Sequence, residues 1–213
     1  MNITVKLVDS TPDISRAILG SIRDYLDPKI KQAASKAAEE LPKLVSEALK
    51  QEPEYLSLLN GQLKAELGLA SSSDVEAVIE AISSSIELKT QSLIANRSGI
   101  KGGFTINMIR AKDAGGVIGL DIAKVNDKGY SLPWLQWLLF EGNKILIKNY
   151  IVEFGSNPNS RSGLAVMQPS PSSSWRVPPE FIGSEENNWI TRAISRIENN
   201  IYDLIVKAVE GEI

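Results

Sequence analysis

Neither histidine nor cysteine occurs among the 213 residues, and this restricts the reactions open to the chain. Without a thiol there is no disulfide frame, thiolate nucleophile or thiolate metal site. Without an imidazole there is no Ser-His-Asp or Cys-His arrangement, and almost no zinc site. Any catalysis falls to carboxylates, Lys, Tyr or Ser. The paired or strand-borne carboxylates are Glu39-Glu40, Glu185-Glu186 and Asp121. A carboxylate-based metal-dependent nuclease or glycosidase needs two or three acids converging in a cleft. None of these stands at the spacing of a divalent-cation loop, and solvated surface pairs are the plain reading. Gly115-Gly116-Val117-Ile118-Gly119 lacks the Lys-Ser/Thr of a phosphate loop and the spacing of a dinucleotide fingerprint, so a hairpin turn is expected there. No cofactor and no metal is implied.

Other side chains are suited to contact rather than catalysis. Glu141 and Glu153 sit inside apolar runs. Each either pairs with Lys144, Lys148 or a neighbouring subunit's arginine, or serves as a sheet-edge charge that discourages aggregation. Trp134, Trp137, Trp175 and Trp189 belong more readily to a core than to a contact, yet interfaces favour Trp and Arg. Trp175-Arg176, in a proline-rich stretch, is the pair expected to reach a partner. Arg161, Arg176 and Arg192 are the arginines that would line a surface facing DNA phosphates. The net charge of −3 gives no overall pull toward nucleic acid or anionic membrane.

The elements that must carry these residues follow from pattern. Residues 3–8 alternate and predict a first strand. Thr11-Pro12 predicts a helix start, with Thr as cap and Ile14, Ile18, Ile22 and Leu26 as its stripe. Asp27-Pro28 predicts a second start, followed by Ile30, Ala34, Ala37, Leu41, Leu44 and Ala48 at 3-4 spacing, with a kink or break at Pro42. Its alanine face fits either a hairpin with the preceding helix or a subunit contact. Pro53 opens a helix carrying Tyr55, Leu56, Leu59, Leu63 and Leu67, stopped by Gly68. Ser73 with Glu76 matches a capping box ahead of Val75, Val78, Ile79 and Ile82.

Strands are predicted from Ile86, from Phe104 to Ile109, and from Val117 to Val125, with a turn over Asn96–Gly103. Leu132–Phe140 predicts a tryptophan-bearing helix and Lys144–Phe154 a longer strand. Asn157–Pro179 is rich in Ser and Pro, with Arg161 and Arg176 its only charges. It predicts an arm or hairpin whose paired sides are Leu164–Met167 and Trp175–Val177. A last helix from about Glu185 carries Ile190, Ile194, Ile197, Ile201, Leu204, Ile205 and Ala208 over six turns.

The fold class is therefore α+β. It combines a mostly helical part over about 12–83, an antiparallel sheet core over about 86–178, a Trp-bearing helix and a long C-terminal helix. The division is 1–83, a helical region with a short N-terminal strand, and 84–213, a mixed core with a Ser/Pro-rich arm at 156–179, expected to fold as one unit. Ten of the 13 aromatics lie at or after Tyr130, which places the main core in the second part. No apolar run reaches the ~18 residues of a membrane span. The N-terminus MNITVKLVDS does not read as a signal peptide, so cytosolic synthesis is expected.

The chain resembles neck and tail-completion (head–tail connector) proteins of tailed bacteriophages. The features are Leu132-Pro-Trp-Leu-Gln-Trp-Leu-Leu-Phe-Glu-Gly142, Val152-Glu-Phe-Gly155, Ser160-Arg-Ser-Gly163, Trp175-Arg-Val-Pro-Pro179 and Leu63–Leu69, LKAELGL. The resemblance spans about residues 14–205. It departs from the family after Gly155, where a Ser/Pro arm stands in place of an Arg-Pro-Phe-type segment. This leaves connector ring, tail completion and tail terminator all open. The resemblance implies a structural virion protein and not an enzyme. It implies a ring of six or twelve copies between portal and tail, made in the host cytoplasm and placed in the virion neck, with passive contact with passing DNA and none with membrane. Arg161, Trp175, Arg176, Glu153 and Phe154 are the interface candidates. The alternatives are another phage tail or baseplate interaction protein, and a carboxylate-based enzyme.

Overall fold

A computed structural model of the chain describes residues 10–107, 115–127 and 129–211. The strand expected over residues 3–8 and the Met108–Ile109 end of the second strand lie outside them. The described elements are α-helices and three separate two-stranded antiparallel sheets, an α+β protein with a long N-terminal helix and a C-terminal helix. The chain gathers into two compact units. One holds α1 as far as Glu40, the hairpin of β1 and β2, and the chain from Ile201; the other holds Leu41–Ile86 and the remainder up to Asn200.

The N-terminal helix differs most from the sequence pattern. α1 runs unbroken over Thr11–Lys50, through both Pro28 and Pro42. Its cap is Ser10, whose carbonyl accepts from Asp13 and Ile14 and whose hydroxyl donates to the Asp13 carboxylate. A proline inside a helix removes one hydrogen bond and costs about 3 kcal/mol. Burial offsets this after Pro42, where Leu41, Val45, Ala48 and Leu49 are almost wholly enclosed. A single helix cannot fold back on itself, so the expected helical hairpin does not exist. The buried face is Ala33, Ala34, Ala37 and Leu41, whereas Ile18 and Ile22 of the first stripe stay exposed.

In the first unit, β1 (Glu87–Asn96) and β2 (Gly99–Asn107) pair around a two-residue turn, Arg97-Ser98, shorter than the expected Asn96–Gly103. The register slips between Gln91 and Ile94. Gly102 faces the slipped residues at φ +127°, and a Cβ there would meet the Ser92 carbonyl at 2.7 Å. The Leu93 amide, freed by the slip, donates to Asp27 Oδ1 of α1 at 2.6 Å. Lys31 holds the other carboxylate oxygen at 2.6 Å. The ammonium and this amide together keep the Asp27 carboxyl below its usual range.

In the second unit the Pro53 helix is two helices, α2 (Pro53–Asn60) and α3 (Gln62–Leu67). They break at Gly61, whose backbone is extended and where a Cβ would lie 2.8 Å from Ser57 Cα. The Ser57 hydroxyl instead accepts from the Leu63 amide at 2.9 Å, restarting the helix. Gly68 stops α3 in the left-handed region as expected, at φ +67°. α4 (Ser73–Ser84) buries Val75, Val78, Ile79 and Ile82, but the Ser73–Glu76 capping box is absent. The Ser73 amide is held by Ser71 Oγ, and Glu76 turns to Lys50 and Tyr55.

The strand expected over Val117–Val125 is instead a short helix, α5 (Gly115–Ile118), and a 3-10 turn at Asp121–Ala123. The Gly115-Gly116 pair thus begins a helix and not a hairpin turn. Only β3 (Val125–Asp127) is extended, pairing with β4 (Tyr130–Leu132). The tryptophan helix follows Pro133 as α6 (Trp134–Gln136) and widens into a π turn over Trp137–Glu141.

β5 (Ile147–Phe154) pairs with β6 (Ala165–Trp175). The Ser/Pro segment does not pair with itself, as its Leu164–Met167 and Trp175–Val177 ends had suggested; it returns along β5 as one strand. The final helix is also divided. Asn188 is buried and forms a full capping box with Thr191, so α7 is Trp189–Arg196, and α8 (Glu198–Glu210) starts after Ile197. Buried tryptophans tie the unit together through their indole N–H groups. Trp134 donates to the Ile122 carbonyl at 3.0 Å and Trp189 to the Leu49 carbonyl at 2.9 Å.

Candidate interaction surface

The β5–β6 hairpin carries four of the five interface candidates, and a fifth follows it directly. In its register Phe154 lies opposite Ala165 and Glu153 opposite Val166, while Ile147 faces Trp175. Glu153 and Phe154 are therefore at the loop end, and Trp175 with Arg176 at the other, about 25 Å away at the ordinary rise of a strand. Between them the pairing jumps from Lys148–Ser174 to Tyr150–Pro169, leaving Ser170–Ser173 looped out opposite Asn149. Asn149 takes a left-handed backbone, φ 62°, which asparagine tolerates better than most residues.

The loop that joins the strands is built by its small polar residues. Asn157 Oδ1 accepts from the Asn159 amide at 2.9 Å, and the Ser160 hydroxyl donates to the Ala165 carbonyl at 2.5 Å. The Leu164 amide donates to Ser162 Oγ at 3.2 Å, and Gly155 donates to the Leu164 carbonyl at 2.8 Å. Side chains that bond their own backbone are why a Ser/Asn-rich run makes an ordered loop.

Trp175 is not a contact residue waiting for a partner. It is 6% exposed, its ring lies 6.0 Å from Trp137 at 59°, and its Nε1 donates to Glu66 Oε2 at 2.6 Å. Arg176, next in sequence, is exposed. So is Arg161, whose guanidinium lies over the Gly68 backbone at the end of α3, where a Cβ on that glycine would come 2.8 Å from Nη2. A helix C-terminus favours a cation in that place. Glu153 is exposed and Phe154 is 60% exposed, at the turn into Gly155. Glu141 pairs with Lys144 at 3.2 Å, one of the two arrangements expected for it.

One face of this hairpin closes on a cavity of about 470 Å³. Trp137, Leu132, Ile147, Val152 and Met167 give it apolar walls, with Tyr130 and Tyr150 beside them; Glu66, Gly68 and Arg161 form its polar side. The volume falls within the ~300–1,000 Å³ of ordinary ligand pockets. Tyr130 and Glu66 were not singled out by sequence pattern, and Trp137 only as one of four tryptophans expected in a core. Nothing local signals that a turn near residue 66 and a hairpin a hundred residues later share a wall.

The acids that sequence reading considered for catalysis, Glu39-Glu40, Glu185-Glu186 and Asp121, are all on the surface. Among the described residues no three acidic side chains come together as a group that would hold a metal. The buried acids are others, Glu52 and Glu54 at the start of α2. Glu54 pairs with Arg192 of α7, and Glu52 Oε1 lies 2.6 Å from Arg196 Nη2 in an ion pair whose alignment makes no hydrogen bond. Arg192 also donates to Asn187 Oδ1 at 2.9 Å. Glu54 Oε2 has no hydrogen-bond partner among the described residues. Loss of water raises the Glu54 pKa, a shift that Glu52 reinforces and Arg192 only partly opposes.

The sign of its effect is opposite to that of a surface ion pair. A raised Glu54 contributes stability that is complete below the ordinary Glu value and lost as pH rises through its folded value. Glu76 is lowered, chiefly by Lys50 at 2.7 Å and then by the Tyr55 hydroxyl, and Tyr55 is pushed up to about 12 in return. Glu76 contributes stability that is present above the ordinary Glu value and lost as pH falls through its folded value, and its exposure keeps that contribution small. Glu54→Gln is therefore expected to be at least as stable as the parent at pH 7, within about 1 kcal/mol on the stabilising side, because Arg192 can turn to water. Urea unfolding at pH 4 and pH 7 measures it. A loss of about 3 kcal/mol at pH 7 would mean that the ion pair outweighs the cost of burying the charge.

Compared with known protein families, curated proteins and solved structures, the chain matches none. No helix among the described residues is long and apolar enough to cross a membrane.

Proposed function

We propose that this chain is a structural subunit of a tailed-bacteriophage neck. It is a tail-completion or head–tail connector protein that joins the portal to the tail as a closed ring of six or twelve copies. It is not an enzyme in this reading, and its place is the virion neck after synthesis in the host cytoplasm. The observation that carries the reading is the β5–β6 hairpin. It is locked at one end by Trp175 and Glu66 and presents Ile151, Glu153, Phe154 and Leu164 at or beyond its middle. A ring subunit needs such a rigid body with an apolar, partly charged projection to meet its neighbours. Four of the five stretches that resemble neck proteins, Leu132–Gly142, Val152–Gly155, Ser160–Gly163 and Trp175–Pro179, belong to this hairpin, its loop or the segments that flank it, and the fifth, Leu63–Leu69, lies in α3 and its cap. Arg161 and Arg176, both exposed, are the cations available to meet portal, tail or passing DNA.

Deleting the coding sequence from the phage that carries it tests the reading. Filled heads and separate complete tails are expected, with infectious particles recovered when purified protein is added to the lysate. Normally joined particles lacking the protein would refute it.

A further inference from the structure

We infer that the hairpin of β1 and β2 is a nucleic-acid arm, whose outward face and turn meet the phosphates of a DNA duplex. Pairing and exposure together define that face. Side chains alternate along β2, so Lys101 and Thr105 share one side and Ile100, Phe104 and Ile106 the other. Cross-strand partners lie on the same face, which adds Ile94 beside Lys101 and Lys89 beside Thr105. Exposure agrees: Lys89, Ile94, Lys101 and Thr105 are exposed, whereas Leu88, Ile100, Phe104 and Ile106 are half-buried.

The charge of the hairpin is opposite to that of the chain. It carries Lys89, Arg97 and Lys101 against a single acid, Glu87, in a chain of net charge −3. Glu87 is held by Lys89 at 3.0 Å. Arg97, in the turn, and Lys101 make no ion pair among the described residues. An acidic protein surface would also attract these cations, but stable protein contacts centre on aromatic or apolar anchors. The outward face offers one large apolar side chain, Ile94, among Gln91, Asn96 and Thr105. Phosphates and sugars are met by such short polar side chains, by Lys and Arg, and by bare backbone. Gly99 and Gly103 fall on this face, and a Cβ on either would meet nothing within 4 Å, so a phosphate can approach the main chain there. A two-stranded ribbon also fits the major groove, about 12 Å wide. The contact needs one chain and no ring, so it goes beyond the reading above and does not depend on it.

Fluorescence anisotropy of a labelled random-sequence duplex titrated with the full chain tests the arm, at salt from about 20 mM to about 200 mM. Binding is expected to weaken with salt at a log–log slope of about −2.7, from three cations at about −0.9 each. The double variant Arg97→Ala, Lys101→Ala should bring the slope to about −0.9 and weaken binding at least about tenfold at the lowest salt. Both residues are exposed, and thermal melts confirm that the variant folds. Lys207→Ala, an exposed cation of α8, should leave binding as it is. A parent that shows no salt-sensitive binding at the lowest salt overturns the arm, as does binding that the double variant leaves unchanged. Polyglutamate that displaces the duplex at equal charge concentration would also overturn it, in favour of an acidic protein surface.

Discussion

Trp175→Ala is expected to cost about 3–5 kcal/mol of folding stability, the usual range for emptying a buried tryptophan site. The side chain fills the space beside Trp137 at the end of β6, and its indole N–H is bonded to the Glu66 carboxylate. Removing it opens a void and strips Glu66 of a donor, leaving it, among the described residues, the Gln62 amide at 2.7 Å. Trp175→Phe separates the two effects. It keeps most of the packing and loses the charge-assisted hydrogen bond, worth about 1.5–3 kcal/mol. Chemical denaturation of the three proteins measures both. If Trp175→Ala melts like the parent and changes only self-association, Trp175 is a contact residue after all. Arg176→Ala is the control on the same strand end, expected to leave the fold within about 0.5 kcal/mol because the residue is exposed.

Gly183→Ala is expected to cost about 3 kcal/mol for an entirely different reason. Gly183 is buried against the π turn, and an added Cβ would collide with the Leu138 carbonyl and lie 2.7 Å from that of Leu139. Neither atom is the end of a flexible chain, so the backbone itself would have to move. Overpacking of this kind costs about 1–3 kcal/mol, and more when backbone is displaced. The segment it would displace leads directly into the Asn188 cap, which donates to the Ser184 carbonyl at 2.8 Å, and so into Trp189. Gly116→Ala, where a Cβ would meet nothing within 4 Å, is the matched control. Thermal unfolding that ranks Gly183→Ala with that control would contradict the close approach.

The α+β class, the tryptophan-bearing turn, the β5 strand and the stop at Gly68 were all legible in the sequence. Each depends on a local pattern: a run of apolar residues after a proline, a β-branched stretch, a glycine at a helix end. Two kinds of error have physical causes. α1 hides its continuity because local rules treat Pro28 and Pro42 as breaks, whereas burial of Leu41, Val45 and Leu49 favours continuing. Val117–Val125 looked extended because β-branched and apolar residues do not by themselves separate a strand from a short buried helix. The candidate site was half legible. Glu153, Phe154 and Arg161 were visible as charge and aromatic neighbours in a loop-rich stretch. Trp175 misled because its proline-rich surroundings look like an arm, while its partners, Trp137 and Glu66, lie 38 and 109 positions away. Glu52 and Glu54 gave no sign of burial, since Arg192 and Arg196 that balance them come from a helix at the other end of the chain.

A neck subunit of the kind proposed must assemble into a closed ring. Light scattering of the purified protein across concentration, with chain mass as the unit, tests it most directly. The expected result is a species of six or twelve chain masses at which growth stops, because a closed ring leaves no open end. A two-fold dimer that persists unchanged to the highest concentration would contradict it.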